Sequence, residues 1–210
     1  MDLHTETQPD FQAQLHHQLA QKGLSLQSKT TTKRLLSGAP TLDQFLGGGL
    51  PWGQISEWGL PLGKGGRHWV LPYLRVASQK NWCLWVSGYE DCEVFPPAFF
   101  AQGVRADRLV FAQTRHPIQD LHAALIHPLF RMIVLDGSLG LTPGALAFIE
   151  AKAREQGQAV LVLRPYRLSN DQGNVWAKFR VNGWRENTGG YVLQAVRGLS
   201  RPTLLWDGQG

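Results

Sequence analysis

Residues 59–67 read Gly59, Leu60, Pro61, Leu62, Gly63, Lys64, Gly65, Gly66 and Arg67. A glycine-rich loop that leaves a strand and feeds a helix is where α/β proteins hold phosphate. Unpaired backbone N–H groups and the positive end of the helix converge there. The working pattern is G-x-x-x-x-G-K-[ST], whose lysine reaches the outer phosphates and whose hydroxyl holds magnesium. Here the spacing before Gly63 and Lys64 is one residue short, and Gly65 stands where the hydroxyl is needed. Phosphoryl transfer is therefore not expected, and no residue is assigned as catalytic. Two readings of the loop stay open: weak ATP binding through backbone groups with Lys64 or Arg67, and a loop that keeps the turn without the ligand.

Two acids have a place beside such a loop. Asp136 closes the apolar run of residues 131–136, where it either holds a metal or ends a strand before a turn. Glu90, with Asp91 and Glu93 beside it, is either a water-activating carboxylate or part of a solvated acidic turn. A third group lies later in the chain. Arg164, Arg167, Lys178, Arg180 and Arg185 are interleaved with Tyr166, Trp176, Trp184 and Tyr191. Phosphate pairing combined with aromatic stacking is how single strands are held without sequence readout. The same residues read equally as solvated arginines around tryptophans that fill a sheet edge. Other chemistry is thin. The seven histidines and two cysteines form no HExxH or Cys/His cluster, so no metal site is expected, and no G-x-S-x-G occurs.

The elements that must position these residues follow from periodicity. Residues 54–58 are a strand ending at Gly59, and residues 67–79 carry helical spacing with Pro72 in the first turn. Strands are expected at 82–87, 108–112, 131–136 and 159–163. Between them come short helices at 99–102 and 116–126 and a longer one capped by Thr142, with Pro143 at its first position and Gly157 past its end. Alternating strands and helices imply a mainly parallel sheet with helices on both faces. Beyond Pro165, alternating runs at 179–184, 191–196 and 204–206, separated by Asn-Gly and Gly-Gly, signal antiparallel strands at the C-terminal edge. Ahead of this core, residues 1–34 read as an amphipathic helix and a polar linker. Phe11, Leu15 and Leu19 form one helix face, and nothing nearby in sequence covers it, so it is expected to dock on a partner or neighbouring subunit. The core spans residues 35–210.

The lead-in SGAPTLDQFLGGGLPWGQISEWGLP resembles the "LD–LGGG–P–G–I–E–G–P" approach to the first strand and phosphate loop of the RecA family. The resemblance continues through residues 82–90, 131–136 and 159–165, and covers about residues 35–200. Within that family the lead-in, the segment FPPAFFAQGVRADRLVFAQT and the short core are most similar to ImuA-type proteins, including SulA-like ones. The resemblance implies a RecA-like P-loop fold. It also implies a damage-inducible accessory of error-prone translesion synthesis that works with RecA, an ImuB-like polymerase relative and an alternative replicative polymerase. Lys64 then is similar to the family's loop lysine, Asp136 to its Walker-B acid and Glu90 to its catalytic glutamate. Arg164 and Arg167 fall where the family places a DNA-facing loop. Two alternatives belong to the same resemblance: a SulA-like division inhibitor that binds FtsZ, and an ATP-dependent DNA-binding protein.

Composition agrees with one soluble core. The 210 residues are 43% hydrophobic and 18% charged, which is too apolar for disorder, and no stretch is long and apolar enough for a membrane helix. The acidic, glutamine-rich start MDLHTETQPDFQAQ is unlike a secretory signal, and a cytoplasmic location is expected. The net charge of +5 has a location: residues 151–210 hold nine of the 21 Lys+Arg and only four of the 16 Asp+Glu. That excess serves either an anionic partner, single-stranded DNA included, or solubility.

Overall fold

In the computed structural model, residues 33–90, 94–137, 139–171 and 173–206 are described. They fall within one unit, Lys33–Gly210. The predicted docking face of Phe11, Leu15 and Leu19 lies outside the described residues.

Among the described residues eight strands form the central sheet: β3 (Gln54–Gly59), β4 (Trp82–Ser87), β5 (Leu109–Gln113), β6 (Phe130–Asp136), β7 (Ala159–Arg164), β8 (Arg180–Arg185), β9 (Tyr191–Arg197) and β10 (Thr203–Trp206). Their order is β10-β9-β8-β3-β7-β6-β4-β5. From β8 to β5 every pairing is parallel, and β8-β9-β10 are antiparallel. The chain is thus α/β, with a mostly parallel sheet and an antiparallel C-terminal edge. The hairpin signals at 179–184 foretold β8's pairing with β9 but not its parallel pairing with β3. Nothing in the spacing of residues 164–180 betrays that return to the sheet centre.

Parallel strands are buried on both faces, and the alternation along each strand sorts side chains between two cores. Trp58, Trp85, Val134 and Leu163 point to one face. There they meet α1 (Pro40–Phe45) and α2 (Leu71–Ser78), through Phe45, Tyr73 and Leu74. Ile55, Val86, Leu135 and Val162 point to the other, against Leu146, Ile149 and Ala153 of α6 (Pro143–Gln156). α6 begins as its sequence dictates. Thr142 Oγ1 accepts the Ala145 N–H at 3.2 Å, Pro143 occupies the first turn, and Gly157 closes the helix at φ 63°.

Three expectations shift. Residues 67–79 are a 3-10 turn, Gly66–Val70, before α2, because Pro72 suits the first turn of an α-helix and not its interior. The short helix α3 is Pro96–Phe100, started by its prolines rather than at Phe99. The helix expected over 116–126 breaks at Leu121 into α4 (Pro117–Asp120) and α5 (His122–Ile126). The lead-in also holds α1 and a two-stranded ribbon of β1 (Arg34–Leu35) with β2 (Leu50–Pro51), which glycine-rich composition concealed.

Candidate functional site

The carboxyl ends of β3, β4 and β6 converge on a cavity of about 320 Å³. Such crevices are where open parallel sheets bind ligands. The loop 60–65 leaves β3 and turns at Gly63 (φ 71°) and Gly65 (φ 65°) into the 3-10 turn. Two of its glycines are demanded by neighbouring backbone and not by a ligand. A Cβ on Gly59 would collide with Asn182 Oδ1 and the Tyr166 carbonyl, and one on Gly66 with the Gly183 carbonyl of β8.

The polar end of the cavity is occupied by an ion pair within the chain. Arg67 donates Nε to Asp136 Oδ2 at 2.8 Å and Nη2 to Oδ1 at 2.7 Å. Nη2 also donates to the Tyr89 hydroxyl at 2.6 Å, and the guanidinium lies 5.3 Å from the Tyr89 ring centre. Asp136 is 4% exposed and Arg67 27%. A bidentate guanidinium thus sits on the carboxylate that would otherwise be available to a cation. Burial raises the Asp136 carboxyl above its ordinary range, with Arg67 pulling the other way. Burial, then Asp136, pushes the Tyr89 phenol up to about 12. Arg67 stands two positions past the missing hydroxyl, and an arginine there facing an acid at a buried strand end was the signal available in sequence. Tyr89 was missed because it flanks the acidic run that drew attention to Glu90.

The remaining expected site residues are dispersed. Lys64 is exposed and does not line the cavity. Its carbonyl accepts the Arg185 N–H at 2.7 Å. Glu90 is exposed, pairs with Arg115 at 3.1 Å, and is likewise not part of the cavity lining.

The basic group divides in two. Arg180 is buried and Arg164 mostly so, and each is engaged within the chain rather than held out to solvent. Arg164 Nε donates to Glu57 Oε1 at 2.8 Å, with the two side chains 13% and 0% exposed. Arg180 is 4% exposed and donates to the carbonyls of Ser169 and Asn170. Both serve the loop 165–179: the second oxygen of Glu57 accepts the Asn174 N–H, and Asn182 grips Leu168 through its N–H and carbonyl. The polar cluster exists because the loop, not a helix, covers this part of the sheet, and its backbone groups must be satisfied. Arg167, Lys178 and Arg185 are exposed. Arg167 lies 4.2 Å over the Trp184 ring, and Arg185 lies 5.7 Å from the Tyr191 ring beside Gly65.

Among the described residues no group of His, Cys, Asp and Glu could hold a metal ion, and no helix is long and apolar enough to cross a membrane. Fold and site together define an α/β protein with a loop-and-strand-end cavity whose polar end is closed by its own ion pair. No family model matches the sequence, and neither does any curated protein.

Proposed function

We propose that the chain is a RecA-like accessory protein of the cytoplasm that binds protein partners without turning over nucleotide. Its setting is the DNA-damage (SOS) response and error-prone translesion synthesis, with RecA as first partner, followed by an ImuB-like polymerase relative and an alternative replicative polymerase. The RecA-like lead-in supports the family reading. The observation that carries the non-hydrolysing part is the Arg67–Asp136 pair. It occupies the acid that a magnesium–nucleotide complex would need, beside a loop without the hydroxyl. Lys64, which would have to reach the phosphates, faces solvent.

The test is twofold. Purified protein is expected to show no magnesium-dependent ATP turnover, and steady turnover abolished by Lys64→Ala refutes the reading. Pull-downs against RecA, an error-prone polymerase complex and FtsZ, run alongside an ATP titration, are expected to capture RecA. Capture of FtsZ with inhibited assembly and filamentous cells replaces this reading with that of a division inhibitor.

A second reading, contact with single-stranded DNA, is favoured by the Arg167–Trp184 stack and the exposed Lys178 and Arg185.

A further inference from the structure

The cavity beside the loop has lost the chemistry of a phosphate site but remains a cavity. Its apolar lining includes Leu62, Trp85, Val94, Phe95, Ala98 and Phe99. Trp85 and Phe99 meet edge to face at 5.0 Å, which holds the aromatic wall in place. At the mouth, Leu62 is 49% and Phe95 68% exposed, large apolar side chains left uncovered at a concave site. Among the described lining residues the charged side chains are Arg67 and Asp136, which neutralise one another. A polyanion entering here would lose its hydration and find no net countercharge among the described residues.

We propose that this cavity is a binding site for an uncharged aromatic group, held against Trp85 and Phe99 in a lining whose Arg67–Asp136 pair is already neutralised. At about 320 Å³ the space is at the small end of ligand sites and fits one substituted ring. A free aromatic molecule and an aromatic side chain presented by a partner share this chemistry. The inference takes from the preceding section only that the ion pair closes the phosphate end. It is tested without nucleotide turnover, so the two readings fail separately.

The site-specific readout is the Trp85 indole N–H resonance in a ¹⁵N spectrum, assigned by its absence in Trp85→Phe. The probes are phenol, indole, N-acetyltyrosinamide, N-acetylphenylalaninamide and ATP. The neutral aromatic probes are expected to move the resonance saturably and ATP to leave it unmoved. Ala98→Trp, at an exposed position of α3, fills the cavity and is expected to weaken binding by about tenfold or more with an unchanged melting temperature. Tighter binding of the capped amino acids than of the bare rings supports a partner's side chain, and the reverse order supports a free molecule. An indole resonance that no neutral probe moves overturns the proposal. So does affinity unchanged in Ala98→Trp, or ATP competing with the rings.

Discussion

Glu57→Gln tests whether the arginines after β7 serve the fold. The Glu57 carboxylate is fully buried and accepts from Arg164 at 2.8 Å and from the Asn174 N–H at 2.5 Å. Gln keeps the shape and one acceptor oxygen but removes the charge, leaving Arg164, at 13% exposure, without that carboxylate. Breaking a buried pair by removing one partner costs about 3–5 kcal/mol, chiefly because the surviving charge stays buried. For a chain of this length each kcal/mol moves the melting temperature by about 2–4 °C, so the expected fall is about 6–20 °C by circular dichroism or calorimetry. Arg164→Met is expected to fall comparably, since it strands the carboxylate instead. Arg167→Ala, at an exposed position, is expected to stay within about 0.5 kcal/mol of the parent. A Glu57→Gln fall below about 2 °C, or equal losses in Arg164→Met and Arg167→Ala, refutes the division of the basic residues into structural and exposed sets.

Other perturbations have defined outcomes. Arg167→Ala and Arg185→Ala are each expected to weaken single-stranded DNA binding and lower its log–log salt slope by about 0.7, measured by fluorescence anisotropy across salt concentrations. An unchanged slope assigns those cations to solubility or a protein partner. Gly66→Ala puts a methyl group into the Gly183 carbonyl of β8 and is expected to cost about 1–3 kcal/mol in urea unfolding, although the change adds helix propensity. His68, stacked on Tyr191 at 4.6 Å, has its pKa lowered by burial and then by Arg185. The unfolded chain therefore binds a proton before the folded one does, and stability falls as pH drops below 6.5, levelling off beneath the lowered folded value. His68→Phe keeps the stacking and is expected to flatten this dependence between pH 7.5 and 5.5. A dependence as steep as the parent's sinks the assignment.

The sheet was legible because strands buried on both faces are continuous apolar runs. The runs at 131–136 and 159–163 place β6 and β7 to within one residue at each end. Helix α6 was legible because its cap, proline and closing glycine are local devices. What could not be read is what depends on distant partners. Arg164 looks the same whether it meets water or Glu57, 107 positions earlier in the chain. Sequence composition likewise cannot tell a solvated arginine from one that satisfies the Ser169 and Asn170 carbonyls, as Arg180 does. For the candidate site the loop's position was legible, but the partnership of Arg67, Tyr89 and Asp136 was not, because it joins three elements through one guanidinium.

That contrast bears on what a glycine-rich loop reports. Gly59 and Gly66 are required by the close passage of Asn182 and Gly183 in β8, and Gly63 and Gly65 by the left-handed turn between them. Each glycine has a reason that holds with or without a phosphate, so their spacing is evidence for the strand–turn–helix geometry and says little about its occupant. The occupant is decided by positions that packing leaves free. A hydroxyl at position 65 would meet Arg185 and Tyr191 side chains before it met a metal, and the exposed Lys64 is tied to β8 through its backbone carbonyl. At position 67 an arginine, long enough to cross to β6, puts its guanidinium on the Asp136 carboxylate. The Asp136 charge is thus spent on Arg67 within the chain, and Trp85 and Phe99 form the apolar part of the cavity lining beside that pair.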